Sequence, residues 1–155
     1  MKKVLYLLFA IFLVQEISAQ TYEYQILTSV ESIVPGGLGR SRLIAGTAQR
    51  DFSDFTSKRT KENDQRNKSK RSEIRVKDFE ETKMLNFFNI GGIRFQNIAS
   101  NDAIVTSKIN SLSAEGWELA FVTSGVESFA GKGDSNGIFV TRYILKRKIE
   151  ETQEK

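Results

Sequence analysis

Hydrophobic and polar residues alternate over residues 22–30, the first part of the chain after its apolar N-terminus. The apolar positions share one side of an extended chain: Tyr22, Tyr24, Ile26 and Val30. The polar positions share the other side: Glu23, Gln25, Ser29 and Glu31. Alternation with a period of two, rich in aromatic and β-branched residues, predicts a half-buried strand. The strand is expected to stop at Pro35-Gly36-Gly37.

A helical period replaces this alternation after residue 100. The apolar positions fall into one stripe: Ile104, Val105, Ile109 and Leu112. Ser100-Asn101-Asp102 supplies N-cap candidates, and Gly116 stands where a C′ glycine ends a helix. The pattern therefore predicts one amphipathic helix between these two signals.

Further strands are expected around this helix. Residues 117–123 predict a strand with Trp117, Leu119 and Phe121 on one face. Residues 138–147 are apolar on both faces, which indicates an interior strand of the sheet. Three weaker expectations complete the pattern: a strand at Arg42–Gly46, a helical segment at Lys83–Asn89 and a strand at Ile93–Ile98. Together these elements predict a single α+β domain with a twisted, mainly antiparallel sheet and one principal helix packed on one face.

The stretch Ser57–Ser72 contains no apolar residue. Its seven Lys and Arg against two acidic residues give a net charge of 7 − 2 = +5. Such a stretch cannot bury enough apolar surface to offset its ordering entropy. We interpret it as a mobile insert or solvated extension, with a charged helix projecting into solvent as the alternative. Phe52, Phe55 and Phe79 flank it and are expected to tie its ends to the core.

The N-terminus has the three parts of a secretory signal. Lys2-Lys3 precede the apolar run Val4–Val14, and a polar stretch then ends at the small residue Ala19. A membrane-spanning helix needs about 20 apolar residues, more than this run supplies. We predict a signal peptide over residues 1–19, an exported protein, and no integral membrane span after cleavage. An uncleaved anchor or an N-terminal core helix is the alternative.

Cleavage at this position would leave one domain over residues 20–150 and a charged tail over residues 151–155. The chain without residues 1–19 carries 21 − 18 = +3, so the +5 stretch leaves the rest slightly acidic. Export places the protein in the periplasm or outside the cell. Its partners are then expected to be an envelope protein or an anionic surface.

The chain of 155 residues contains no Cys and no His. These absences exclude disulfides, thiol nucleophiles, Cys/His zinc sites, Ser-His-Asp triads and imidazole proton shuttles. We expect no cofactor, no metal and no enzyme activity. Nucleic-acid binding is not expected either, because Ser57–Ser72 lacks the aromatic residues that stack on bases in single-strand binding.

Three segments in order resemble a small bacterial domain family of unknown function. They are Tyr-Glu-Tyr at 22–24, the helix end Leu-Ser-Ala-Glu-Gly-Trp-Glu-Leu at 112–119, and Tyr-Ile-Leu-Lys-Arg at 143–147. The resemblance covers about half of the chain after residue 19 and implies a β-α-β-β unit with a Gly-Trp-Glu-Leu junction between helix and strand. The chain departs from the family by inserting roughly residues 35–98. The family implies no catalytic residues, and Trp117 is expected to pack over the helix end.

Two glycine-rich stretches have candidate chemistry. Gly36–Arg42 (GGLGRSR) offers open backbone N–H groups and two arginines, which suit a phosphate or carboxylate, although a tight turn with solvated arginines is the favoured interpretation. It matches neither the dinucleotide fingerprint nor the P-loop. Gly131–Gly137 has Asp134 and Asn136 at calcium-loop spacing, but it lacks the closing Glu, so we expect a hairpin connection.

An internal echo suggests a binding rim. Leu27–Ile33 (LTSVESI) reappears as Val122–Phe129 (VTSGVESF), with Gly125 as an extra residue that could form a bulge. If both strands run the same way, their ends and following loops share one edge of the sheet. The candidate ligand-binding residues at this rim are Glu31, Arg40, Arg42, Glu127 and Lys132.

The sequence thus predicts an exported, non-catalytic binding or structural module of the bacterial cell envelope. A small carboxylate-dependent hydrolase acting on envelope glycans is the alternative, because glycoside hydrolysis can run on two carboxylates alone. Its candidate acids are Glu31, Glu115, Glu118 and Glu127.

Overall fold

A computed structural model describes residues 20–32, 41–46, 48–62, 64–89, 91–127 and 137–149. Its long strands are β1 (Tyr22–Ser32), β2 (Arg42–Ala45), β3 (Glu80–Lys83), β6 (Glu118–Glu127) and β7 (Ile138–Lys148), and its two-residue strands are β4 (Phe88–Asn89) and β5 (Gly92–Ile93). Its helices are a 3-10 turn (Phe52–Phe55), α1 (Arg71–Ile74) and the main helix α2 (Phe95–Ala114). The long strands form one antiparallel sheet in the order β3-β2-β1-β7-β6. The predicted α+β domain with one principal helix is confirmed.

Helix α2 covers one side of this sheet and closes the core. The buried apolar residues are Leu27, Leu43, Ala45 and Leu145 from the strands, Met84 after β3, Leu112 from α2, and Trp117. The predicted helical stripe is confirmed, since Ile104, Val105 and Ile109 pack on the same cluster. The interior position of residues 138–147 is also confirmed, because β7 lies between β1 and β6.

The side of β1 that faces the helix is the side with the polar positions of the sequence pattern, such as Ser29 and Glu31, together with Leu27. Leu27 and Ser29 are buried, whereas Tyr24 is 65% exposed and Ile26 is 47% exposed. The pairing explains this choice, because Leu27 lies opposite Ala45 on β2 and Tyr143 on β7. Directly paired residues point to the same side of a sheet, so Leu27 joins the apolar residues of its neighbours under the helix.

The main helix begins earlier than its cap signals predicted. It starts after Arg94 rather than after Ser100-Asn101-Asp102, and Asn101 is a buried residue within it. The strand expected at Ile93–Ile98 is therefore wrong beyond Ile93. The helical segment expected at Lys83–Asn89 is also wrong, because this stretch is the end of β3, a loop, and β4. Its backbone bonds to Ser41 and Arg94 hold it extended.

Strand β6 breaks its alternation at a bulge. The register shifts between Leu119 and Phe121, so that Leu119 lies opposite Leu145 and Phe121 lies opposite Ile144. Leu119 and Phe121 therefore point to opposite sides of the sheet, which corrects the single face predicted for them. Gly125 pairs regularly with Val140, so the bulge expected at Gly125 is also wrong.

The flanks of the basic stretch do not enter the core. Phe52 is 78% exposed and Phe79 is 46% exposed, and only Phe55 is half-buried. Met84 is instead the buried core residue beside β3. Of the described residues in 57–72, only Arg71 and Ser72 are helical, so the projecting charged helix is wrong.

Several sequence predictions fall outside the described residues. They include the signal peptide, the glycine-rich turn over residues 33–40, the loop over residues 128–136 and the tail over residues 151–155. Arg40 and Lys132 lie in these ranges. The backbone of Glu127 is described, but its side chain is not.

Candidate functional site

The side of the sheet opposite α2 is its most unusual surface. We call it the open face. It consists of the even-numbered residues of β1 and β7 and of the residues of β2, β3 and β6 that lie in the same rows across the sheet. One row across this face is Ile26, Ile144 and Phe121, and Tyr24 lies beside it. Phe121 is 62% exposed. Large aromatic and branched side chains are thus left open to solvent on a regular sheet.

Cationic residues surround this apolar row. Five lie on the open face: Arg42, Lys83, Arg142, Lys146 and Lys148. Two acidic residues with described side chains share the face, and each forms an ion pair: Arg42 with Glu81 at 2.5 Å and Lys146 with Glu118 at 3.9 Å. The described side chains of the open face therefore carry a net charge of 5 − 2 = +3.

The two ends predicted to form a common rim do lie together. Strands β1 and β6 are both antiparallel to β7, so they run in the same direction. Ser32 and Glu127 both lie opposite Ile138, which places the ends of β1 and β6 at the same end of the sheet. This part of the echo hypothesis is confirmed, whereas the ligand-binding role of the rim stays a prediction.

The rim residues with described side chains make different contacts. Glu31 is half-buried on the helix side, and its carboxylate accepts a hydrogen bond from the Asn101 amide at 2.9 Å. Arg42 lies on the open face, where it donates to Glu81 and to the Ser41 carbonyl. Glu31 and Arg42 therefore belong to opposite sides of the sheet and do not form one site.

Asn101 shows why Glu31 is held in place. Its amide nitrogen donates to Glu31 and to the Leu85 carbonyl at 2.7 Å, and its oxygen accepts from the Leu85 backbone N–H at 2.8 Å. A buried amide with such partners satisfies both backbone groups of Leu85. The arrangement clamps the loop after β3 onto α2. The sequence alone predicts Asn101 as an N-cap candidate, because nothing local distinguishes a capping Asn from one that binds a neighbouring loop.

The junction between α2 and β6 is held by packing and by hydrogen bonds from Arg147. Gly116 has a φ of +87°, and Trp117 is buried as expected. Arg147 stacks on the Trp117 ring with its guanidinium carbon 4.5 Å from the centroid. The same guanidinium donates to Glu23 at 2.7 Å and to the Glu115 carbonyl at 3.0 Å. A cation near a helix C-terminus interacts favourably with the helix dipole, so Arg147 stabilises the end of α2.

The basic stretch is organised around Asn67. Its side chain donates to the Asp54 carbonyl at 2.8 Å, and its backbone N–H donates to the Ser57 hydroxyl at 2.7 Å. At the start of the preceding 3-10 turn, hydrogen bonds from the backbone and side chain of Ser53 lower the pKa of Asp51 from its ordinary value. The cations of this stretch are exposed side chains around a loop with its own hydrogen bonds.

Within the described part of the chain, no group of three or more acidic side chains could hold a metal ion. Across the same residues, no helix combines the length and apolar character that a membrane span requires.

No family model, curated protein or solved structure matches the chain. The resemblance to the bacterial family with the Gly-Trp-Glu-Leu junction stays a prediction.

Proposed function

We propose that this chain is an exported, non-catalytic binding module of the bacterial cell envelope and that it binds through the open face. One observation carries this proposal. Tyr24, Ile26 and Phe121 are 65%, 47% and 62% exposed on one face of the sheet. Soluble proteins seldom leave a contiguous apolar patch uncovered unless the patch is used for binding.

The N-terminal pattern supports the proposed location. A basic start, an apolar run of 11 residues and a small residue at position 19 make up the form of a secretory signal. The candidate carboxylates do not favour the hydrolase, because Glu31 is bound by Asn101 and Glu118 is paired with Lys146. A binding role therefore accounts for more of the described surface than a catalytic one.

Fractionation and site-directed cross-linking test the proposal together. A photoreactive phenylalanine analogue is placed at Phe121 and, as the matched control, at Phe95, which is 76% exposed at the start of α2. Processed protein in the envelope fraction, with adducts from position 121 but not 95, is the expected result. Unprocessed protein in the cytoplasm, or equal adducts from both positions, would contradict the proposal.

The hydrolase alternative has its own assay. Purified protein is incubated with cell-wall glycan, and the release of reducing ends is followed. We expect no turnover. Turnover that disappears in Glu31→Gln would replace the binding proposal with the carboxylate-dependent hydrolase.

A further inference from the structure

We infer that the open face binds the surface of an anionic lipid bilayer. This inference rests on the proposed function, because it names the partner of that same face. It follows from the apolar row, from the charge around it and from the way that charge disfavours a second copy of the chain.

The apolar residues of the open face have the chemistry of a membrane interface. Tyr24 and Phe121 are more than half exposed, Ile26 is next to Tyr24 on the same face of β1, and Ile144 lies between Ile26 and Phe121. Aromatic rings, Tyr in particular, are enriched at the headgroup level of bilayers, where one end of the ring is apolar and the other wet. Strands β1 and β7 each have 11 residues, so the face is about 35 Å long at about 3.3 Å per residue. This length lets the row lie along a bilayer surface.

The charge on the open face selects an anionic surface over a neutral one. Two of its acidic residues, Glu81 and Glu118, are already engaged by Arg42 and Lys146, and the third, Glu127, lies at the end of the face opposite Ile138. Arg142 is exposed in the middle of the face, with Thr28 on one side and Thr123 on the other. Lys and Arg close to an anionic membrane each contribute about 1 kcal/mol of attraction. With Glu127 counted, the formal net charge of the face is 5 − 3 = +2, and this excess complements lipid phosphates.

A second copy of the chain fits this surface less well. Two open faces packed together would bring two surfaces of formal charge +2 into contact, with Arg142 near the centre of each. Pairing of two β6 edges is also disfavoured. Strand β6 has Glu118 at its start and Glu127 at its end, and an antiparallel pair would set acidic ends side by side. Like charges opposite each other destabilise strand pairs.

Vesicle binding tests the inference directly. The protein without residues 1–19 is sedimented with vesicles of phosphatidylcholine alone and with vesicles of phosphatidylcholine and phosphatidylglycerol in equal parts. We expect binding only to the second kind, and binding that weakens as salt is added, because salt screens the attraction between exposed charges.

Variants then locate the contact. Arg142→Gln is expected to lower the partition coefficient about fivefold, the loss of one surface cation, and Phe121→Ser about tenfold, the loss of one buried ring. Arg94→Gln and Phe95→Ser are matched controls outside the open face and should bind as the parent does. Thermal melts check that all four variants remain folded.

Three outcomes would overturn the inference. They are the absence of binding to phosphatidylglycerol vesicles, a dimer in light scattering whose dissociation follows Phe121→Ser, and normal binding by Arg142→Gln and Phe121→Ser. In the last case, loss of binding in the combined variant Lys58→Gln, Lys61→Gln, Lys68→Gln would assign the contact to the basic stretch. Failed vesicle binding with a single protein cross-linked at position 121 would retain the proposed function and replace lipid by that protein.

Discussion

The two faces of the sheet differ most clearly at its centre, on β1 and β7, because the helix-face residues of the edge strand β6, such as Val126, are exposed as well. On the helix face, Leu27 is 0% exposed and Leu145 is 0% exposed. On the open face, Ile26 directly precedes Leu27 and is 47% exposed. The comparison teaches that apolar character along a strand does not select the buried face. Strand pairing and the position of α2 make that choice, and the face left over becomes a candidate for binding.

The largest expected effect separates these two neighbours. Leu27→Ala should lower the free energy of unfolding by about 2–5 kcal/mol, because it leaves a cavity under α2. Ile26→Ala should cost less than about 1.5 kcal/mol, since its side chain is half exposed and loses little burial. Urea unfolding of both variants measures the difference. Equal losses would mean that the open face is covered in the folded protein.

The buried amide of α2 comes next. Asn101→Ala removes the partners of both Leu85 backbone groups, and each lost hydrogen bond costs about 0.5–1.5 kcal/mol. Its matched control is Asn110→Ala, because Asn110 is exposed on the same helix. Chemical denaturation should show a loss for Asn101→Ala alone. Identical midpoints for the two variants would show that the hydrogen bonds of Asn101 to Leu85 do not stabilise the fold.

The end of α2 gives a smaller effect. Gly116→Ala forces a β-carbon into a left-handed conformation, at about 1–2 kcal/mol, and places it 3.4 Å from the Arg147 side chain. Gly125→Ala is the control, since an added β-carbon there meets nothing within 4 Å. Thermal melts should show a lower midpoint for Gly116→Ala and no decrease for Gly125→Ala. A decrease for both would indicate a general effect of replacing glycine, unrelated to the left-handed conformation of Gly116.

The smallest effect is expected for the ion pairs at the sheet surface. Arg42→Ala removes the pair with Glu81 on the open face, and Lys108→Ala removes the pair of α2 with Glu80, whose atoms are 2.7 Å apart. Partly exposed pairs contribute about 0–1 kcal/mol, so both variants should unfold close to the parent. A loss above this range for Arg42→Ala would make the arginine a structural residue and would weaken its assignment to a binding surface.

The candidate site was only partly predictable from the sequence. The common direction of β1 and β6 follows from a β-α-β-β order, and the internal echo located the shared end correctly. The grouping of Glu31 with Arg42 did not hold, because they occupy positions of opposite parity on paired strands, with Arg42 opposite Val30. One residue of register reverses the face of every side chain, and the sequence contains no direct signal of register.

The sequence by itself determined the elements whose signals are local. The period of Ile104, Val105, Ile109 and Leu112 specified the helix, Gly116 specified its end, and alternation specified β1 as a strand. The tertiary structure alone decided which face of β1 is buried, where β6 bulges and what Asn101 binds. These outcomes depend on residues distant in the chain, such as Leu27 with Tyr143 and Asn101 with Leu85. Propensity acts over a few residues, whereas pairing and burial are set by contacts that exist only once the chain has folded.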